Sequence, residues 1–372
     1  MTAPLRSAED ISPGHPDRLA DAVAEGLVDT ALRLDPDALV GVEVAVHRHL
    51  VAVTGRIAAT PDGAGLDHFT DEHLQALVEG AFAAAGYQGR WAIDLDVITD
   101  LDIGPLTDEE RAIRRYSDDQ NITIGHATPH PAHHRLPIET AAARHARAAI
   151  TDLAAAHPDL LGPDAKVLIA ITPTGSGAAL TFANVSTQHT PGVGYEDLHR
   201  LVAPTLLDAL AGLPGLDLPD RIDSTWLTVN GIGDFTCGGP LGDNGLSGKK
   251  LVVDHYGPHI PIGGGALCGK DVHKPDRSGP LRARQLAVRL TDATGETATV
   301  RLGWLPGGEL PHLVQADLAD GTTLDRHELS RLIDVPDLSL AGTALDLELA
   351  SVRWADALRR GYVGADWRWD HP

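Results

Sequence analysis

The chain has 372 residues, 43% of them hydrophobic and 22% charged, which suffices for an ordinary globular core spread over roughly two or three domains or one large fold. Its formal net charge is −22, from 52 acidic and 30 basic residues, and this argues against bulk attraction to nucleic acid or to an anionic membrane. No apolar run approaches the roughly 18–20 residues that span a bilayer, the opening MTAPLRSAED has no signal-type apolar region, and Cys237 and Cys268 are too few for a disulfide framework or a zinc site, so a soluble cytoplasmic enzyme is expected.

The first helix is predicted to start at Pro16, whose fixed φ and missing N–H suit a first helical position. Leu19, Ala20, Val23, Ala24, Leu27, Val28, Ala31 and Leu32 then recur at helical spacing. A strand pair follows at 42–46 and 50–54, then a helix over 74–85 and a strand over 94–98. Residues 101–119 run from acidic to basic with little periodicity and read as a long loop with the character of a lid. Next come an Ala-rich helix over 140–156, a second strand pair at 166–171 and 178–185 joined by a turn at 173–177, and a helix over 195–210. After a Gly-rich centre containing a short strand at 251–253, a helix is predicted over 282–291, a third strand pair at 298–304 and 312–316, and short helices near Arg326 and Leu345. Strand pairs alternating with helices three times suggest three similar α+β modules, each a mixed sheet with helices on one face.

Four clusters carry candidate chemistry. Gly14-His15-Pro16-Asp17-Arg18 lies at a helix start, where unpaired N–H groups attract phosphate; His15 is placed to donate to an oxygen gaining charge, and Asp17 to hold Mg²⁺. Residues 238–250 form a glycine-rich loop with Asp243 inside it and Lys249-Lys250 closing it. Residues 263–278 bring Lys270, Lys274 and Asp276 together after Gly263-Gly264-Gly265; Gly264-x4-Gly269-Lys270 mimics a P-loop, but Asp271 stands where Ser or Thr would hold Mg²⁺. Asp164 and Lys166 are expected on one face of a strand, and Glu43 on the face opposite Val42, Val44 and Val46. The lysine count sharpens this choice. Of 30 basic residues only five are lysines, at 166, 249, 250, 270 and 274, which marks positions where a compact ammonium is needed and a guanidinium is not equivalent.

In order, and nearly end to end, these segments resemble the methionine adenosyltransferase (S-adenosylmethionine synthetase) family. The family's ESVSEGHPDK signature is matched by Glu9 to Arg18, its GDQG segment by Asp118-Asp119-Gln120-Asn121, PDAK by Pro163 to Lys166, and STQH by Ser186 to His189. Its GGPxGDxGLTGRK loop is matched by Gly238 to Lys250, and GGGAFSGKDPxKVDRS by Gly263 to Ser278. The resemblance implies three interleaved modules with approximate threefold symmetry: residues 1–13 with 130–231, 14–100 with 232–278, and 101–129 with 279–372, the stretch 101–118 being a lid. It also implies a dimer with active sites at the interface, and often a tetramer.

The implied reaction is attack of a thioether sulfur, in methionine or a close analogue, on C5′ of ATP, expelling triphosphate that is then cleaved to pyrophosphate and phosphate. By the same resemblance His15 meets the leaving-group oxygen. Asp17 and Asp276 hold two Mg²⁺ ions and Glu43 holds K⁺. Asp164, Lys166, Asp243, Lys249, Lys250 and Lys270 serve ATP and its phosphates, with Lys249 where the family usually has arginine. Phe235 and Ala266 line the adenosine site, and Asp119, Asp243 and Lys274 lie near the amino acid.

The amino-acid side departs from the family pattern. VGGEI becomes Val53-Thr54-Gly55-Arg56-Ile57, replacing a glutamate that would face the methionine ammonium. The GKQSPDI lid has no match, and the arginines of NPTGRF and ARHGGG are lost around Asn230 to Phe235 and Pro261-Ile262. Arg56 is then expected either to favour an acid lacking an α-ammonium or to pair with a local carboxylate. The alternatives to methionine are another sulfur nucleophile, or a non-catalytic homologue that binds nucleotide.

Overall fold

A computed structural model describes residues 4–175, 177–219 and 226–372; Ser176, inside the expected 173–177 turn, lies outside them. In chain order the elements are β1 (Arg6–Ile11), α1 (Pro16–Leu34), β2 (Leu39–His47), β3 (Leu50–Ala58), α2 (Asp71–Ala84), β4 (Asp96–Gly104), α3 (Asp108–Ile113), β5 (Asn121–Ala127) and α4 (Ile138–Ala156). Then follow β6 (Leu161–Pro173), β7 (Ala178–His189), α5 (Tyr195–Ala211), β8 (Leu216–Asp217), β9 (Leu227–Val229), β10 (Asn244–Leu246), α6 (Leu251–Asp254) and α7 (Pro275–Thr294). The chain ends with β11 (Ala298–Trp304), β12 (Leu313–Leu318), β13 (Thr323–Asp325), α8 (Arg326–Leu332), α9 (Leu340–Asp346) and α10 (Trp354–Arg360).

The strands form three sheets, ordered β1-β6-β7-β8 with β9 also on β7, β10-β2-β3-β4, and β13-β12-β11-β5. The first two share one plan. A long hairpin carries an antiparallel strand on its first member and a parallel strand on its second, β8 beside β7 and β4 beside β3, each reached through a helix. The third sheet is antiparallel throughout. Helices α1 and α2 serve the second sheet, α4 and α5 the first, and α7 and α8 the third. Leu19, Val23, Leu27 and Val28 make α1 the centre of the main core, while a smaller core lies between α7 and the third sheet. This is the α+β architecture of mixed sheets with helices expected from the alternating pattern.

Three local expectations are corrected. Residues 101–119 are not a loop throughout: β4 continues to Gly104 in parallel register with β3, and α3 follows. Leu101 and Ile103 are partly buried while Asp100 and Asp102 point outward, so an alternation was hidden beneath acidic side chains. Helix α3 is started by a capping box, with Glu110 N–H donating to Thr107 Oγ1 at 3.2 Å and Thr107 N–H donating to Glu110 Oε2 at 2.9 Å. Residues 251–253 belong to the single helical turn α6, not to a strand. Finally, the β6–β7 register shifts between Leu161 and Ala165, which breaks strict alternation; Asp164 is buried and Lys166 exposed.

Candidate active site

The N-terminus of α1 is locked to the start of β6. Ser12 Oγ donates to Pro163 O (2.7 Å) and accepts from Ala165 N–H (2.8 Å), and Tyr87 Oη donates to Gly14 O (2.7 Å). A Cβ on Gly14 would fall 2.3 Å from Pro163 O, so only glycine permits this approach. His15 caps the helix. Its Nδ1 accepts the Asp17 N–H at 3.1 Å, which leaves the ring proton on Nε2. That Nε2 is enclosed and has no hydrogen-bond partner. Burial first, then Lys166 and Lys250, press the imidazole pKa down to about 3, so the ring is neutral at pH 7.

Asp17 gathers the glycine-rich loop. Oδ1 accepts Leu246 N–H at 3.0 Å and lies 3.6 Å from Lys249 Nζ, while Lys250 Nζ is 2.8 Å from Oδ2. Burial alone would raise this carboxyl, but the Lys250 ammonium and the Leu246 N–H hold it below the ordinary aspartate range. Asp164 accepts Gly239 N–H at 2.7 Å with Oδ2, and its Oδ1 is enclosed without a partner. Burial pushes its pKa up to about 6 against that N–H and Lys166. Asp243 is exposed beside this group and accepts the Asn244 N–H.

A second cluster lies at the start of α7. Lys270 Nζ is 2.8 Å from Asp276 Oδ1, and Arg277 Nε donates to Lys270 O at 3.0 Å. A Cβ on Gly265 would sit 1.6 Å from Asp276 Oδ1, so the bare backbone there makes room for the carboxylate. Asn121 Oδ1, beside Gly264, is enclosed and unpartnered. Lys274 pairs with Asp118, while its sequence neighbour Asp119 is exposed and accepts the Gln120 N–H. Phe235 is half-buried, its N–H on His189 Nε2 at 3.0 Å, and Ala266 is half-buried beside Gly248. Glu43 is exposed on the second sheet and accepts the Ser247 hydroxyl at 2.5 Å.

Arg56 is engaged by its own chain. Nη1 is 3.1 Å from Asp102 on β4 and Nη2 is 2.9 Å from Glu110 on α3. Arg111 pairs with Asp35 and Asp37, and Arg114 with Asp271, so ion pairs fasten both ends of α3 to the body.

Beyond Asp17, the sequence did not reveal the acids that organise α1. Asp17, Asp21, Glu25 and Asp29 recur every fourth residue within its buried face. Asp21 holds Arg18 (3.0 Å) and Gly248 N–H (2.8 Å). Glu25 takes both Arg277 nitrogens (2.9 and 2.6 Å) and the Tyr362 hydroxyl. Asp29 accepts Trp354 N–H (2.6 Å) and Ala355 N–H (3.2 Å). The i, i+4 spacing of acids inside an apolar stripe was the available signal.

No group of three or more His, Cys, Asp or Glu side chains gathers as a metal cluster among the described residues. Mg²⁺ requires no such cluster, since one or two carboxylates plus substrate phosphates suffice. Asp17 and Asp276 supply hard carboxylate oxygens, and the enclosed, unpartnered Asn121 Oδ1 adds another beside the Gly264-Gly265 backbone that Asp276 abuts, so the residues present fit such an ion. No described helix is long and apolar enough to cross a membrane.

Residues 4–99 match the S-adenosylmethionine synthetase N-terminal domain and residues 237–371 its C-terminal domain. An S-adenosylmethionine synthase of Methylobacterium nodulans is 32% identical, covering 97% of this chain and 93% of its own. S-adenosylmethionine synthase 1 of Rhodospirillum rubrum is 31% identical over 98% and 94%. A solved S-adenosylmethionine synthetase from Campylobacter jejuni superposes with a TM-score of 0.84 at 27% identity, over 99% of this chain and 97% of that one. With both family domains matched and its relatives covered over nearly their whole length, the chain belongs to the S-adenosylmethionine synthetase family and is an enzyme of the methionine adenosyltransferase type.

Proposed function

We propose that the enzyme joins ATP and methionine by in-line displacement at C5′, with the triphosphate held between the start of α1 and the start of α7. The sulfur lone pair forms the S–C5′ bond as the C5′–O bond breaks, and the electron pair leaves on the triphosphate, which water then splits into pyrophosphate and phosphate. The observation that carries this reading is the enclosed, neutral His15 with an unpaired Nε2–H beside Lys166 and Lys250. It offers a fixed donor where the leaving oxygen gains charge, without a proton to surrender at pH 7. Lys166, Lys249, Lys250 and Lys270 surround the phosphates as point charges, and Asp164 orders the Gly239 turn beneath them. Mg²⁺ on Asp17 and Asp276, with K⁺ at Glu43, would neutralise further phosphate charge when bound.

Phe235 and Ala266 flank the adenosine. Asp119 is assigned to the substrate ammonium and Lys274, shared with Asp118, to its carboxylate. Arg56 acts as a strut to Asp102 and Glu110, a geometry that supports methionine as the substrate, because its positive charge is spent within the chain. Two observations support an active site completed by a second copy. Leu50, Ala52, Ile98 and Leu246 fall on one uncovered face of the second sheet by register, and Glu43 lies on that face. The three sheets likewise support interleaved modules, β1 with β6 to β9, β2 to β4 with β10, and β5 with β11 to β13, while the boundaries at 100/101 and 278/279 given above fall inside β4 and α7.

The test is incubation of the purified protein with ATP, Mg²⁺, K⁺ and methionine, with nucleoside and phosphate products read by mass spectrometry and phosphate assay. S-adenosylmethionine with equimolar pyrophosphate and phosphate is expected. Turnover only with another thioether would overturn the methionine assignment, and no phosphate release with any nucleophile would overturn catalysis.

A further inference from the structure

On the helical side, away from the phosphate cluster, α1, α2, α4 and α10 enclose a cavity of about 270 Å³. Its walls exist because the facing side chains are small: Ala22 and Gly26 on α1, Gly80, Ala81 and Ala84 on α2, with Leu358 of α10 beyond. One end is polar; Arg18 is shared between Asp21 and Asp254, and one other cation has no direct acidic partner. Arg147 Nε is 3.1 Å from Asp10 Oδ2, and Arg18 Nη1 is 2.5 Å from Asp254 Oδ1. Arg359 holds Asp356 at 2.7 Å. Arg144 is left over. Its guanidinium donates only to two backbone carbonyls, Val363 O and His255 O, and no carboxylate of the described residues lies within ion-pair distance. Asp254 Oδ2 is unpartnered and enclosed by protein. Burial depresses the Arg144 pKa against Asp10, Asp370 and Asp254, which are near enough to raise it but not to pair with it.

A deep guanidinium without a carboxylate costs free energy that an anion would return, and the adjoining Ala/Gly walls favour an apolar body. We infer that this cavity is a binding site for a small monocarboxylate with an aliphatic tail, its carboxylate on Arg144 and its tail between α1 and α2. The site is separate from the ATP and amino-acid positions assigned above.

The probe is sodium hexanoate against the full-length enzyme, with hexanamide as its uncharged equal in shape, followed by saturation-transfer NMR and titration. Hexanoate is expected to bind at least about tenfold more tightly than hexanamide, the usual worth of a charge-assisted bond. Arg144→Met should erase that difference. A Cβ on Gly80 meets nothing within 4 Å, so Gly80→Leu is expected to fold, and its side chain should fill the mouth and abolish binding of both probes. Equal binding of acid and amide to the wild type, binding that survives Gly80→Leu, or no binding of hexanoate at all would each overturn the inference.

Discussion

His15 uses its two ring nitrogens for two tasks: Nδ1 closes the first turn of α1 and Nε2 faces an enclosed space with no protein acceptor. His15→Ala should therefore lose both. Removing the cap should cost about 1 kcal/mol of stability, and removing the donor should lower kcat by about 10²–10³. Urea unfolding and steady-state kinetics separate the two effects, and a variant with wild-type turnover would remove His15 from the site. Arg56 yields a second prediction. Arg56→Glu would place a third carboxylate against Asp102 and Glu110, releasing α3 in place of restoring a methionine contact. Faster proteolytic nicking within residues 101–118 and a lower kcat/KM for methionine are expected. The clustering of Asp17 with Lys249 and Lys250, and of Lys270 with Asp276, was legible as residue types at fixed spacing. The partners of Arg56 were not, because Glu110 lies 54 positions away and only the fold brings it there.

Among elements, α7 shows how a helix start is aimed. Arg277 is fully buried, bidentate on Glu25, stacked 4.0 Å over the Trp354 ring, and bonded to the Lys270 carbonyl. Arg277→Met leaves Glu25 as an uncompensated buried charge. It should cost about 3–5 kcal/mol by urea denaturation and displace Lys270 enough to raise KM for ATP. β5 carries a different liability. His126 is buried, bonded to Thr299 Oγ1 at 2.9 Å, and held to a pKa of about 3 by burial and then by Arg284. The unfolded chain takes up this proton near pH 6.5, so the native state loses stability as pH falls from there toward 3, by about 1.4 kcal/mol per unit from this group. Urea midpoints at successive pH values should show His126→Gln with a slope one proton shallower than wild type. Periodicity exposed the long helices and hairpins, because each has one face in the core. It failed at β4, whose outward side chains are acids, and at α6, where three apolar residues in a row suit a strand or a helical turn equally well.

At the scale of the molecule, the second sheet leaves Leu50, Ile98 and Leu246 at 42%, 55% and 46% exposure. Ile98→Asp should leave the fold intact, since the Ile98 side chain is exposed, yet shift sedimentation to the monomer and abolish turnover. Unchanged sedimentation would place self-association elsewhere. The interleaving of the sheets was only partly legible, since β1 pairs with β6 across 155 to 165 positions and no local pattern encodes such pairings. The acids along α1 carry a consequence for biosynthesis. Trp354 and Ala355 reach Asp29 from 325 and 326 positions away, and Tyr362 reaches Glu25 from 337. A ribosome must therefore have made residues 354–362 before α1 can bury those carboxylates, so α1 waits unfinished while more than 300 residues are added behind it. Native structure around α1 should appear only once residues 354–362 have left the ribosome, and until then the nascent enzyme is a client for chaperones.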